Sequence, residues 1–250
     1  MLKKISLILF AVLLFGYMIF AITAIAPKAG TETVCKGITV NVTGGSTGQL
    51  VSDTEIIATL KKNNLSPEGK ALDKINTSKI EEKLIENKII RRAECYKTID
   101  GKIKITIHER TPFFRIFATG RSSYYVDRER EIIPVTGIYP AYVHVATGFI
   151  SEEFARNELY DFVKHIKNDK FWNSQIAQIH VDRNGDLEFI PIVGNHKVII
   201  GRLTGYKEKL DKLRFFYDRG LNKIGWNKYS VINLKYRNQV VCKKRNSNRQ

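Results

Sequence analysis

The chain has 250 residues, 43 % of them apolar, and a formal charge of +16 from 41 Lys and Arg against 25 Asp and Glu. That length supports one large or two small cored domains, and the composition excludes a low-complexity or disordered protein. The charge admits nucleic acid, an anionic membrane surface or acidic partners. The basic residues are dispersed, however, and cluster only at Lys243, Lys244, Arg245 and Arg249, so nucleic-acid binding is not expected.

Residues 5–26 (ISLILFAVLLFGYMIFAITAIA) carry no charge and are closed by Pro27 and Lys28. As a helix they reach about 33 Å, enough to cross a bilayer's hydrocarbon core. A secretory signal core runs only about 7–15 residues, so an uncleaved anchor is the expectation. Lys3 and Lys4 precede the span and place residues 1–4 in the cytoplasm and the bulk of the chain outside it. Residues 27–34 read as a polar linker.

Residues 35–42 (CKGITVNV) alternate as a half-buried strand. The Gly-rich turn at 43–48 lacks the Lys-Ser/Thr of a phosphate-cradling loop. Ser52 to Glu55 and Ser78 to Glu81 read as capping boxes. They open helices that bury Ile56, Ile57 and Leu60, then Ile80, Leu84 and Ile85. Strands at 93–99 and 102–108 flank Asp100-Gly101, a hairpin signal. The order strand, helix, helix, strand, strand gives a three-stranded sheet covered on one face.

That order, preceded by an anchor and ending in Ile-His-Glu-Arg-Thr-Pro at 107–112, resembles the POTRA domain of the FtsQ/DivIB cell-division proteins. The second half extends the resemblance. Residues 123–134 (SYYVDREREIIP) are similar to the family's strand–turn–strand, except that 129–131 supply no turn glycine. A strand follows at 139–148, then a helix at 151–170 with Ala155, Leu159, Phe162, Val163 and Ile166 on one stripe. Strands at 176–181, 187–192 and 197–200 turn at Asn184-Gly185 and Gly194-Asn195. A helix at 204–220 puts Tyr206, Leu210, Leu213 and Tyr217 inward, with Gly220 as its C-cap. Strands at 229–236 and 239–243 close the chain; with residues 191–196 (PIVGNH) they resemble the Bacteroidetes branch of the family.

The expected fold class is α+β: one transmembrane helix (5–26), a POTRA domain (35–110), and a larger mixed β-domain (111–245) with helices on an antiparallel sheet, followed by a polar tail (246–250).

No HExxH, GxSxG, SxxK or paired-carboxylate pattern appears, and no cysteine–histidine spacing suits a metal. No cofactor, small-molecule substrate or enzyme activity is expected; Cys95 with His108 is the least poor nucleophilic pair. His108, His144 and His180 are expected on solvated strand faces and His165 on a helix surface. In an oxidising compartment two of Cys35, Cys95 and Cys242 could pair, Cys35 with Cys95 first. Phe113, Phe114 and Phe117 read as core or as filling between the two domains. Asn41 and Asn76 fit the glycan acceptor pattern but sit at a turn and a helix cap, so no glycan is assigned.

With no chemistry in view, function falls to binding. A last strand rich in β-formers presents unpaired N–H and C=O groups to which another chain's strand can add. The resemblance implies the same: FtsQ-like proteins receive an FtsB–FtsL pair by strand addition there. It places the site at Tyr229, Leu234, Tyr236, Asn238, Gln239, Val240, Val241 and Lys243, with other division proteins at the POTRA domain. It further implies a non-enzymatic divisome scaffold in the inner membrane at the septum, held to the lipid bilayer through residues 5–26. The alternatives are a POTRA-bearing subunit of a secretion or outer-membrane assembly system and an anchored cell-wall enzyme.

Overall fold

The computed structural model describes residues 10, 12–21, 33–44, 49–135 and 141–245. Within the apolar stretch 5–26, residues 10 and 12–21 are helical, and the remainder lies outside the described residues. Among the described residues no helix is long and apolar enough to cross a membrane. From Phe10 to Phe20 each large apolar side chain described is 51–71 % exposed.

Strict alternation at 103–109 buries Ile103, Ile105 and Ile107 completely and leaves Lys104, Thr106 and His108 on the other face. This strand, β3 (Ile103–Glu109), is the centre of a three-stranded sheet of order β1-β3-β2, with β1 Ile38–Thr43 and β2 Ile90–Lys97. β2 is antiparallel to β3, whereas β1 is parallel to it. A parallel neighbour needs a crossover, which α1 (Asp53–Lys62) and α2 (Thr77–Ile85) supply. Ser52 caps α1 by accepting from the Glu55 N–H at 3.2 Å. The second cap differs from the expectation. Asn76 caps α2 through Lys79, and Glu81 instead accepts from the Cys95 N–H at 2.6 Å, tying α2 to β2. Ile56, Leu60, Ile80 and Leu84 fill the core, but Ile85 is 46 % exposed.

The second sheet has nine strands in the order β12-β11-β10-β9-β8-β7-β4-β5-β6. Its members are β4 Pro112–Ala118, β5 Tyr124–Asp127, β6 Ile132–Pro134, β7 His144–Gly148, β8 Ile176–Val181, β9 Leu187–Pro191, β10 Lys197–Gly201, β11 Tyr229–Asn233 and β12 Val241–Lys244. It is not antiparallel throughout: β4–β7, β7–β8 and β10–β11 pair in parallel. Helical crossovers make two of these pairings possible, and the β5–β6 hairpin lies between β4 and β7 in the chain. α3 (Glu152–Arg156), α4 (Glu158–Asn168) and α5 (Lys170–Gln175) return the chain from β7 to β8, and α6 (Tyr206–Phe216) returns it from β10 to β11. The expected single helix at 151–170 is broken at Asn157, whose backbone leaves the helical region, yet its apolar stripe is fully buried. After α6 the chain makes a π turn at Tyr217–Leu221, so Gly220 lies inside a helical turn rather than capping one. Close approach of β7 and β8 requires Gly148, where a Cβ would lie 2.0 Å from the Val181 carbonyl oxygen.

The Glu109-Arg110-Thr111-Pro112 segment joins the two sheets. The Glu109 carboxylate accepts from the Leu50 and Val51 N–H groups at 2.8 and 2.6 Å and fixes the entry to α1. Burial raises its pKa against the lowering effect of those bonds. Arg110 then pairs with the buried Asp127 at 2.8 Å and with Glu129 at 3.2 Å. Asp127 in turn accepts from the Glu129 and Glu131 N–H groups. This turn lacks glycine, and Arg130 itself takes the left-handed conformation, φ 67°. Its guanidinium pairs with Asp161 at 2.7 Å and stacks over Tyr160 at 4.4 Å. Phe113 and Phe114 belong to the core of the nine-stranded sheet, and Phe117 is exposed beneath Arg115. Tyr125 and Ile133, from the other face of that sheet, pack with the core of the three-stranded one.

Candidate partner-binding edge

Period-two patterning across the last strands sets up two faces. On the helix-covered face Ile232 and Leu234 are fully buried, and Val240 and Cys242 pack partly against the same core. On the opposite face Val231 lies across from Lys243 and Asn233 across from Val241. Val241 is 41 % exposed. β12 pairs with β11 on one side; among the described residues no strand pairs with its other side. Alternate backbone groups of an antiparallel edge strand point away from its neighbour, so four residues offer roughly two N–H and two C=O groups outward.

Side chains hold this edge in place without covering it. The Lys212 ammonium on α6 donates to the Tyr236 and Arg237 carbonyls at 2.9 and 2.8 Å, gripping the turn between β11 and β12. Lys235 pairs with Asp186 at 2.5 Å. At the far end of β12, Arg245 donates to the carbonyls of Asn195, Asn227 and Tyr229. Beside it lies His196, only 2 % exposed, bonded through Nε2 to the Tyr217 hydroxyl at 2.8 Å, with no partner at Nδ1. Burial, reinforced by Arg245, lowers its pKa to about 4, so it is neutral at physiological pH.

The expected site residues divide accordingly. Tyr236, Asn238, Gln239, Val241 and Lys243 are exposed at the turn and on β12. Val240 is half-buried against the core. Tyr229 is partly buried and packs on Phe216 at 6.0 Å. Leu234 is fully buried and bonded through its N–H to the Ile199 carbonyl, so it positions the edge rather than facing a partner. The strand begins at Val241, which leaves Asn238 in the turn. Lys212 and His196 were not singled out as site residues by the sequence, and Arg245 stood out only as one of the terminal basic cluster. Each acts through a long-range contact; for His196 only the PIVGNH segment that contains it stood out.

No catalytic pair forms where one was considered. Cys95 lies in the helix-covered core, and burial pushes its thiol up to about 12, with Glu81 adding to the effect. His108 lies on the other sheet face, bonded to Thr43 at 2.9 Å. Cys35, Cys95 and Cys242 are all free thiols. His144 and His180 are half-buried rather than fully solvated, and His180 shares a bond with Thr147 at 3.0 Å.

A small helix-covered sheet is followed by a large mixed sheet, which makes this a two-module α+β protein. Residues 33–108 match the POTRA-like domain, and residues 111–243 match the family described as FtsQ/DivIB, C-terminal related. The second match covers more than half of the chain, which therefore belongs to the FtsQ/DivIB family. No curated protein matches it.

Proposed function

We propose that this protein is a non-enzymatic, membrane-anchored divisome scaffold that receives an FtsB/FtsL-like pair by strand addition to β12. Family membership supports a role in cell division, and the open edge of β12 is the observation that carries the binding mode. Backbone bonds to the outward groups of Val241–Lys244 supply affinity, and Val241, Lys243 and Tyr236 supply specificity. In this reading residues 5–26 are the anchor in the inner membrane at the septum, with the N-terminus cytoplasmic. Supporting the anchor are the large apolar side chains exposed along residues 10–20, a pattern that matches a lipid environment. Residues 35–110 form the membrane-proximal module, where other division proteins bind, and 111–245 the docking module. Confinement to the membrane plane raises the effective concentration of the scaffold toward other anchored proteins.

The test is proline at Val241 and, separately, at Cys242. Alternate N–H groups face β11 and the open side, so one of the two variants removes an outward donor while sparing the ladder. That variant is expected to keep its thermal stability and lose at least tenfold in capture of the FtsB/FtsL-like pair, with failed septation in cells. Full capture by both variants would refute strand addition at β12.

A further inference from the structure

The parallel pairing of β1 with β3 has a geometric consequence for the membrane. It puts the entry of β1 at the same end of the three-stranded sheet as the β2–β3 hairpin tip. The Lys36 N–H bonds the Gly101 carbonyl at 2.9 Å, and the Ile103 N–H bonds that of Gly37. Thr33, the first residue described before β1, lies at this end, and a linker of six residues (27–32) has a maximum reach of about 3.4 Å per residue, or roughly 20 Å in all. That bound keeps the hairpin tip within reach of the surface in which the proposed anchor sits. At the tip Ile99 is fully exposed, at 109 % of its reference area. Lys36, Lys97 and Lys102 are exposed around it, and Lys104 sits over the exposed Tyr96 ring at 5.7 Å. The turn's own carboxylate, Asp100, is already engaged by Lys102 at 3.2 Å and by Thr98.

An apolar tip ringed by lysines, with an aromatic behind it, is the pattern of a segment seated at a membrane interface. We infer that the 96–104 hairpin tip docks onto the anionic lipid surface of the membrane that holds the anchor, standing the first module upright and holding β12 away from the bilayer. Ile99 enters the headgroup–acyl boundary while the lysines meet lipid phosphates. This inference rests on the anchor reading of residues 5–26.

The test uses the full chain in vesicles of phosphatidylcholine with 30 % phosphatidylglycerol, roughly matching an anionic leaflet, and in phosphatidylcholine alone. In a Cys242→Ser background, with Cys35 and Cys95 shielded by burial, single environment-sensitive labels are placed at Ile99→Cys, at Phe15→Cys in the anchor, and at Ser174→Cys as a control on the second module. Quenching by lipid-borne nitroxide is expected at positions 15 and 99 in anionic vesicles, and at 15 alone in neutral ones. Replacing Lys36 and Lys97 by Gln should lower the docked-to-undocked ratio at 99 about fivefold per lysine, with unchanged quenching at 15 and unchanged thermal stability. Quenching at 15 with none at 99 overturns the docking alone, and absence of quenching at 15 overturns the anchor. Burial of the 99 label in native membranes but not in pure lipid would assign the tip to a protein and overturn the lipid proposal.

Discussion

The two ends of the nine-stranded sheet solve the edge problem in opposite ways. At one end β6 has only three residues, finishes at Pro134, and sends Ile133 into the core of the neighbouring module with no exposed surface. Arg156 clamps the approach to it by bonding the Arg130 carbonyl and pairing with Glu131 at 2.7 Å. At the other end β12 has four residues, no proline, and an exposed valine. Unpaired strand edges are liabilities that proteins cover, shorten or charge. β12 ends in Lys243 and Lys244, which discourage indiscriminate pairing, but among the described residues no strand pairs with its outer side. β6 is blunted by its length, its proline and its place at the joint between modules, whereas β12 is guarded by charge.

The largest expected effect comes from the core beneath the blunted edge. Ile133→Ala removes a fully buried side chain and should lower stability by about 2–4 kcal/mol in chemical denaturation, while capture per folded molecule is unchanged. Acid should act on the opposite edge. His196 titrates at about 4 in the folded protein, below its ordinary value. Its contribution is complete above the unfolded pKa near 6.5 and is lost as pH falls through 4, a change of up to about 3 kcal/mol. Denaturation curves between pH 7 and 4 should show this loss in the native chain and not in His196→Gln, once each is compared with its own value at pH 7.

A third, smaller effect concerns the turn beside the open edge. Lys212→Ala removes two bonds to carbonyls and should cost about 1 kcal/mol, since the group is partly solvated. Amide exchange at 236–244 should accelerate with no change at 132 and 133. The smallest effect lies beside β6: Arg130→Gly should be more stable than Arg130→Ala by about 1 kcal/mol, because only Ala retains the left-handed strain. Both lose the Asp161 pair and the Tyr160 stacking.

Much of this contrast could be read locally. The Asp100-Gly101 hairpin, the Ser52 cap and the stripe from Ala155 to Ile166 depend on residues within a few turns of one another, and all three are present. Strand order is different. Nothing within 144–148 says that it lies between β4 and β8 in parallel, because the helices that carry the crossover also suit an antiparallel sheet with helices on one face. Asn157 breaks a helix whose apolar stripe runs on unbroken, so periodicity alone misses it. Leu234 and Val241 are both apolar β-formers near the end of the chain. Only the tertiary pairing of Leu234 with Ile199 tells which is core and which is edge. His196 follows a turn in sequence but is buried by Tyr217 and Trp226, contacts 21 and 30 residues away.

Amide hydrogen exchange on the full-length protein, with and without its FtsB/FtsL-like pair, tests the central claim most directly. The account predicts slowed exchange at outward amides of 241–244 on binding, with no change at 132 and 133. Unchanged exchange along β12 in a formed complex, with protection appearing elsewhere, would contradict it.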